Sequence, residues 1–182
     1  LNLAYKDFQE AAPLDQWKRY SFLKNFYLNY QVLPDKADAY TDSMFLVLDG
    51  LEEQFESEHA SNLFSRGDVL RAKNRFNEAF YQYYIGREFA STHLNSCELA
   101  VFTNRLGLVR YEQQDYLNAI TYFKQALDEN RGCQIQSTFE NRFHLRQSIC
   151  NNIAFSYELA GMLDSAFLFY DLGLNFVEEN LK

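Results

Sequence analysis

Three histidines and three cysteines are the first residues of this 182-residue chain to test for chemistry. A metal site needs ligands converging at set spacings, and His59, His93 and His144 stand apart, without HExxH or a His–Cys pair. They read as surface or capping residues. Nucleophilic catalysis would need a Ser or Cys beside a base and an oxyanion hole, yet the chain has no Gly-x-Ser-x-Gly elbow. No glycine-rich loop is present to cradle a phosphate. The run LEEQFESE places Glu52, Glu53, Glu56 and Glu58 close together, as acid–base work on paired carboxylates would require. At that density around a helix end they read as a solvated face. Arg142 and Arg146, one helical turn apart, could meet an anion, but with Glu140 nearby the plainer reading is a salt-bridged surface. The expectation is no catalytic set, no metal, no cofactor, and hence not an enzyme.

Cys97, Cys133 and Cys150 make an odd count with no CxxC. Three free thiols packed as small hydrophobes are the plain reading. A Cys133–Cys150 disulfide is the alternative and would fit an oxidising compartment.

The elements that would position any site are helical. Seven Gly and two Pro are too few for a sandwich or barrel, while 47% hydrophobic residues spread along the chain suffice for one core. Aromatic residues make up 17%, a large resource for packing and contact. A net charge of −8 sets the overall field against a phosphate backbone, so nucleic acid is not an expected partner. The longest apolar run in the first half, MFLVL at 44–48, is far below the ~20 residues that span a bilayer. The chain opens on Leu1 without a signal-peptide pattern and is expected to be a processed or excised piece.

An internal repeat organises the helices. In VFTNRLGLVRYEQQDYLNAITYFKQAL, residues 101–127, Gly107 is followed by Ala119, Phe123 and Ala126. The last three recur at i, i+4 and i+7, one face of a helix, and Asp115 stands where it could cap that helix. The same offsets return as Gly67, Ala79, Tyr83 and Gly86, and as Ala154, Ala166, Tyr170 and Gly173. A worn fourth copy is expected at the N-terminus. Its first helix is QWKRYSFLKNFYLNY, with Leu23, Phe26, Tyr27 and Tyr30 inward, followed by a turn at Pro34 and Asp35 and then Ala39, Ser43 and Leu46. DENRGCQIQST, after Leu127, is expected to be the main irregular loop, before a helix from about Phe139 to Leu159.

These hairpins resemble tetratricopeptide repeats, whose pattern carries Leu-Gly, Tyr, Ala, Phe and Ala at such separations. Tyr157 matches the family's Tyr, whereas Leu70 and Arg110 depart from it. The resemblance implies an all-α fold, a right-handed superhelical solenoid of about four hairpins with the first degenerate. A single domain over 1–182 would carry repeats near 17–50, 60–92, 98–130 and 139–180. It further implies a concave groove lined by first helices, at Ser61, Phe64, Asp68 and Arg71, then Val101, Asn104, Leu108 and Tyr111, then Ser148, Asn151, Phe155 and Glu158. The family's clamp for a C-terminal carboxylate is disfavoured, because Asp68 and Glu158 spoil a positive field.

The phrase CNNIAFSYELAGMLDSAFLFYDLGL and the Asp-Ser openings at 164 and 42 are similar to the repeat regions of bacterial sensor histidine kinases. That resemblance implies a periplasmic or otherwise extracytoplasmic sensor region of a two-component system, binding a peptide, a protein segment or a signal ligand. The alternative is a cytoplasmic peptide receptor or assembly scaffold. A homodimer is a further partner option, with Tyr81, Tyr84 and Phe167 as candidates either for that contact or for packing between repeats.

Overall fold

The computed structural model describes residues 12–132 and 144–178. Among them are eight α-helices and no strand: α1 Pro13–Asn25, continued by a π-helical turn Phe26–Tyr30, α2 Pro34–Val47, α3 Glu56–Ala72, α4 Phe76–His93, α5 Ser96–Glu112, α6 Tyr116–Arg131, α7 Leu145–Leu159 and α8 Leu163–Glu178. The described residues are all-helical, and the chain forms two compact units, Leu1–Gln82 and Tyr83–Lys182, that divide inside α4.

Three helices end in the same way. Asn74, Gln114 and Gly161 carry φ of 58°, 63° and 76°, the left-handed conformation that closes a helix C-terminus. The next N–H then donates back to the carbonyl five residues earlier: Arg75 to Leu70 at 2.9 Å, Asp115 to Arg110 at 2.9 Å, and Met162 to Tyr157 at 2.8 Å. These turn residues are 40 positions apart (74 to 114) and then 47 (114 to 161), the same periods as the small and aromatic residues.

In the second unit, small residues let helices approach. A Cβ added at Gly107 on α5 would lie 2.5 Å from the ring of Phe123 on α6. Ala119, Phe123 and Ala126 are fully buried, and α6 packs on α7, which packs on α8. Ile120, Leu127, Ile149 and Ile153 join them in one apolar cluster with Ala166. Burial of this kind contributes about 25 cal/mol per Å² of apolar surface. Polar clamps cross the same layers. Arg87 donates from Nε to Thr103 Oγ1 at 2.9 Å and from Nη2 to Glu129 Oε1 at 2.7 Å. Arg146 donates to Asn130 Oδ1 at 2.8 Å.

The first unit is held differently. α1 packs on α2 and α2 on α3, around Ala37, Met44, Leu48, Leu63 and Val69. The buried Asn62 accepts from Trp17 Nε1 at 2.7 Å and donates to the Met44 carbonyl at 3.1 Å, linking α1, α2 and α3. Arg66 bridges Asp38 and Asp42, while Lys73 reaches Asp35 at 2.8 Å and Asp38 at 3.0 Å.

Four expectations are corrected here. In the N-terminal copy, the buried series is Ala37, Thr41 and Met44, two residues before Ala39, Ser43 and Leu46, and Leu46 is 75% exposed. Phe26 and Tyr30 face solvent rather than the core, because the π-helical turn inserts a residue and rotates the stripe. Asp115 occupies the N-cap position of α6 but makes no capping bond; its carboxylate accepts instead from Asn118 Nδ2 at 2.8 Å. Helix α6 runs on to Arg131, past the expected loop start at Asp128. Glu129 and Asn130 are held by Arg87 and Arg146, and these tertiary partners outweigh the turn-forming composition. The rest of that loop and the start of the helix expected from Phe139 lie outside the described residues.

The cysteines differ from both readings. Cys97 is disulfide-bonded, and Cys150 is a free, buried thiol, which excludes a Cys133–Cys150 link. Cys133, the remaining cysteine of the sequence, lies outside the described residues. Burial pushes the Cys150 thiol up to about 11, so it is an inert packing group.

Candidate functional site

Helices α5 and α7 touch in the second unit and carry Val101, Asn104, Leu108 and Tyr111 on one and Ser148, Asn151, Phe155 and Glu158 on the other. Helix α5 starts cleanly because Asn95 caps it, accepting from the N–H of Cys97 at 2.8 Å and of Glu98 at 3.2 Å. From that start the spacing of 101, 104, 108 and 111 keeps Val101, Asn104, Leu108 and Tyr111 on one side. Asn104 is buried, and its Oδ1 accepts from Asn152 Nδ2 at 3.1 Å, a bond between residues 48 apart in sequence. Leu108 and Tyr111 are half-buried against the apolar cluster. The Tyr111 ring meets Tyr116 edge-on with centroids 5.8 Å apart.

On α7, Phe155 is 50% exposed and Glu158 is also exposed. Tyr170, reaching over from α8, sets its ring edge-on to Phe155 with centroids 5.7 Å apart and donates its hydroxyl to Glu158 Oε2 at 2.8 Å. Partial burial, then the bond to the Glu158 carboxylate, push the Tyr170 phenol up to about 12. It is a hydrogen-bond donor across the whole neutral range. Together the face offers three aromatic rings, a carboxylate and an amide pair. Such a set can bond an extended backbone, cover an apolar side chain and attract a cation.

Two details escaped the sequence. The Asn151 side chain lies against α8, 3.4 Å from where a Cβ on Gly173 would stand, so its neighbour Asn152 makes the bond to α5. Tyr170 was legible as the repeat's aromatic, but nothing in the spacing placed its hydroxyl on Glu158. Ser148 is exposed on the first turn of α7. In the first unit, Ser61, Phe64, Asp68 and Arg71 are half-buried along one face of α3.

The histidines make local contacts. His93 stacks on Phe89 with centroids 4.2 Å apart, and its Nδ1 lies 2.6 Å from Thr92 Oγ1 at the end of α4. His59 meets Phe45 edge-on. Among the described residues, no group of His, Cys, Asp and Glu is arranged to hold a metal ion. Likewise no described helix is long and apolar enough to cross a membrane.

No family model matches the chain, and no curated protein matches it. Solved structures do match. One of them is the crystal structure of BtubC (BKLC) from P. vanneervenii, with a TM-score of 0.76 at 19% identity, covering 92% of this chain and 65% of that one. At this identity the likeness shows a shared helical fold. The chain spans just under two thirds of that neighbour's length.

Proposed function

We propose that this chain is a non-catalytic binding module, a right-handed superhelical solenoid of tetratricopeptide-like hairpins that holds a peptide or protein segment on its first helices. The observation that carries this reading is the α5–α7 face. Asn104, Leu108, Tyr111, Phe155 and Glu158 come from positions 54 residues apart at the extremes (104 to 158) and lie on two packed helices. The recurrence of one turn geometry at Asn74, Gln114 and Gly161 supports the repeat. The disulfide at Cys97 supports an oxidising compartment, and with it the extracytoplasmic sensor region of a two-component sensor histidine kinase. In that role a ligand acts only through different affinities for two states of the module.

The test has two readouts. Side-chain amide signals of Asn104 and Asn152 should move when a panel of short cation-bearing, apolar peptides is titrated, and Phe155→Ala with Glu158→Lys should abolish the response. A peptide that binds the double variant as tightly as the wild type would remove the site. For the finer assignment, the reading frame around the chain should encode a membrane helix and a kinase; a stop codon after Lys182 would leave a free-standing scaffold.

A further inference from the structure

Helices α1 and α8, the first and last described, each turn a continuous apolar stripe to solvent. Along one face of α1, Asp15, Lys18, Arg19 and Phe22 are exposed, followed on the π-helical turn by Phe26 and Tyr30. The spacing of three to four residues makes them one face. Phe22 is 69% and Tyr30 78% exposed, and Phe26 stacks on Tyr30 with centroids 6.3 Å apart. Lys18, Arg19, Phe22 and Leu23 line a shallow hollow of about 380 Å³. On α8 the exposed positions are Leu163, Asp164, Phe167, Leu168, Asp171 and Leu174. Phe167 is 66% and Leu168 70% exposed, although this helix packs on α7 by its other side.

The two stripes carry opposite charge. The exposed face of α1 carries Lys18 and Arg19 against Asp15, whereas that of α8 carries Asp164 and Asp171 and no cation. Apolar patches of this extent mark contact surfaces, and like-signed acidic faces would repel one another. A chain of net charge −8 therefore gains nothing by pairing α8 with α8. Pairing α8 with α1 places Asp164 and Asp171 opposite Lys18 and Arg19, and gives Phe167 a hollow rimmed by two cations and a ring.

We infer that the α8 face of one copy docks on the α1 face of a second copy, head to tail. The contact joins two different faces, so two copies can make it reciprocally in a closed pair or pass it on from copy to copy. One helix face on each side supplies less than the roughly 800 Å² per partner of a standard interface. Association is accordingly expected at micromolar concentrations or above, and it should weaken with salt.

Analytical ultracentrifugation of the 182-residue chain tests this. The wild type should show a weight-average mass that climbs with concentration to a dimer or beyond. Phe22→Glu and Phe167→Glu, both at exposed positions, should each be monomeric with unchanged melting temperature. Mixed one to one they should form a dimer and stop there, since one keeps an intact α8 and the other an intact α1. A wild type that stays monomeric into the millimolar range would overturn the inference. Equal association of Phe22→Glu and the wild type would give α8 to a symmetric pair and overturn it too. In the product of the parent reading frame, protection of α8 from hydrogen exchange that Phe22→Glu leaves unchanged would assign that face to a following segment, with the same consequence.

Discussion

Both units have an apolar core and polar clamps, but small residues at close approaches stand out in one and ion bridges in the other. In Tyr83–Lys182 helices touch through missing side chains: Gly107 beneath Phe123, Gly173 beside Cys150, and Ala119 and Ala166 at buried contacts. In Leu1–Gln82 the helices are joined by polar bridges: Trp17 to Asn62 to Met44, and Arg66 and Lys73 to three aspartates. Contacts through small residues leave a period in the sequence, because a fixed helix distance demands the same residue type each time. Polar bridges leave no such trace, since any donor and acceptor within reach will serve.

The largest effect should come from filling a close approach in the second unit. Gly107→Leu forces the Phe123 ring aside and Ala119→Leu overfills a fully buried position, and each should cost about 1 to 3 kcal/mol. Leu at the exposed Asn77 serves as control. Melting temperatures that agree across all four proteins would remove the small-residue account.

In the first unit the comparable position is Asn62. Changing it to Ala strands a Trp17 donor and the Met44 carbonyl, and should cost roughly 2 to 3 kcal/mol in urea unfolding. If the loss is only a few tenths, water replaces the amide and the bridge does not hold the unit together.

Asp38→Ala removes the partner shared by Arg66 and Lys73. The bonds to Asp35 and then Asp38 raise the Lys73 ammonium above the usual lysine range. Because the carboxylate keeps a fifth of its side-chain exposure, the expected loss is about 1 kcal/mol, shrinking as salt is added. The Gly107 effect should not shrink with salt. A salt response of equal size in both variants would contradict the proposed difference between the units.

The smallest effect concerns Tyr170. Its phenol in the folded chain lies near 12, above an unfolded tyrosine at about 10. Its contribution is therefore complete below about pH 10 and is lost as pH rises through 12. Tyr170→Phe should change stability little at neutral pH and flatten the alkaline fall, as followed by circular dichroism. An identical alkaline profile in the variant would show that the hydroxyl is not coupled to Glu158.

Legibility follows the same division. The offsets at Gly107, Ala119, Phe123 and Ala126 could be seen in one sequence because each is a steric necessity. The N-terminal copy was misread by two residues because its buried Thr41 and Met44 are not the small residues the period would select, and in the helix before it a π-helical turn rotates Phe26 and Tyr30 outward. On the candidate face, Asn104 and Tyr111 followed from position along a helix. The choice of Asn152 over Asn151 depended on which side chain Gly173 leaves room for.

By itself, then, the sequence determined that the chain is helical and that small and aromatic residues recur along it at 40- and 47-residue spacings, because periodic burial is local. Only the tertiary structure decided how far α6 runs, which of the cysteines is oxidised, and that a tyrosine on α8 completes the face shared by α5 and α7. Each of those depends on a partner distant in sequence, and neither residue type nor spacing records which partner that is.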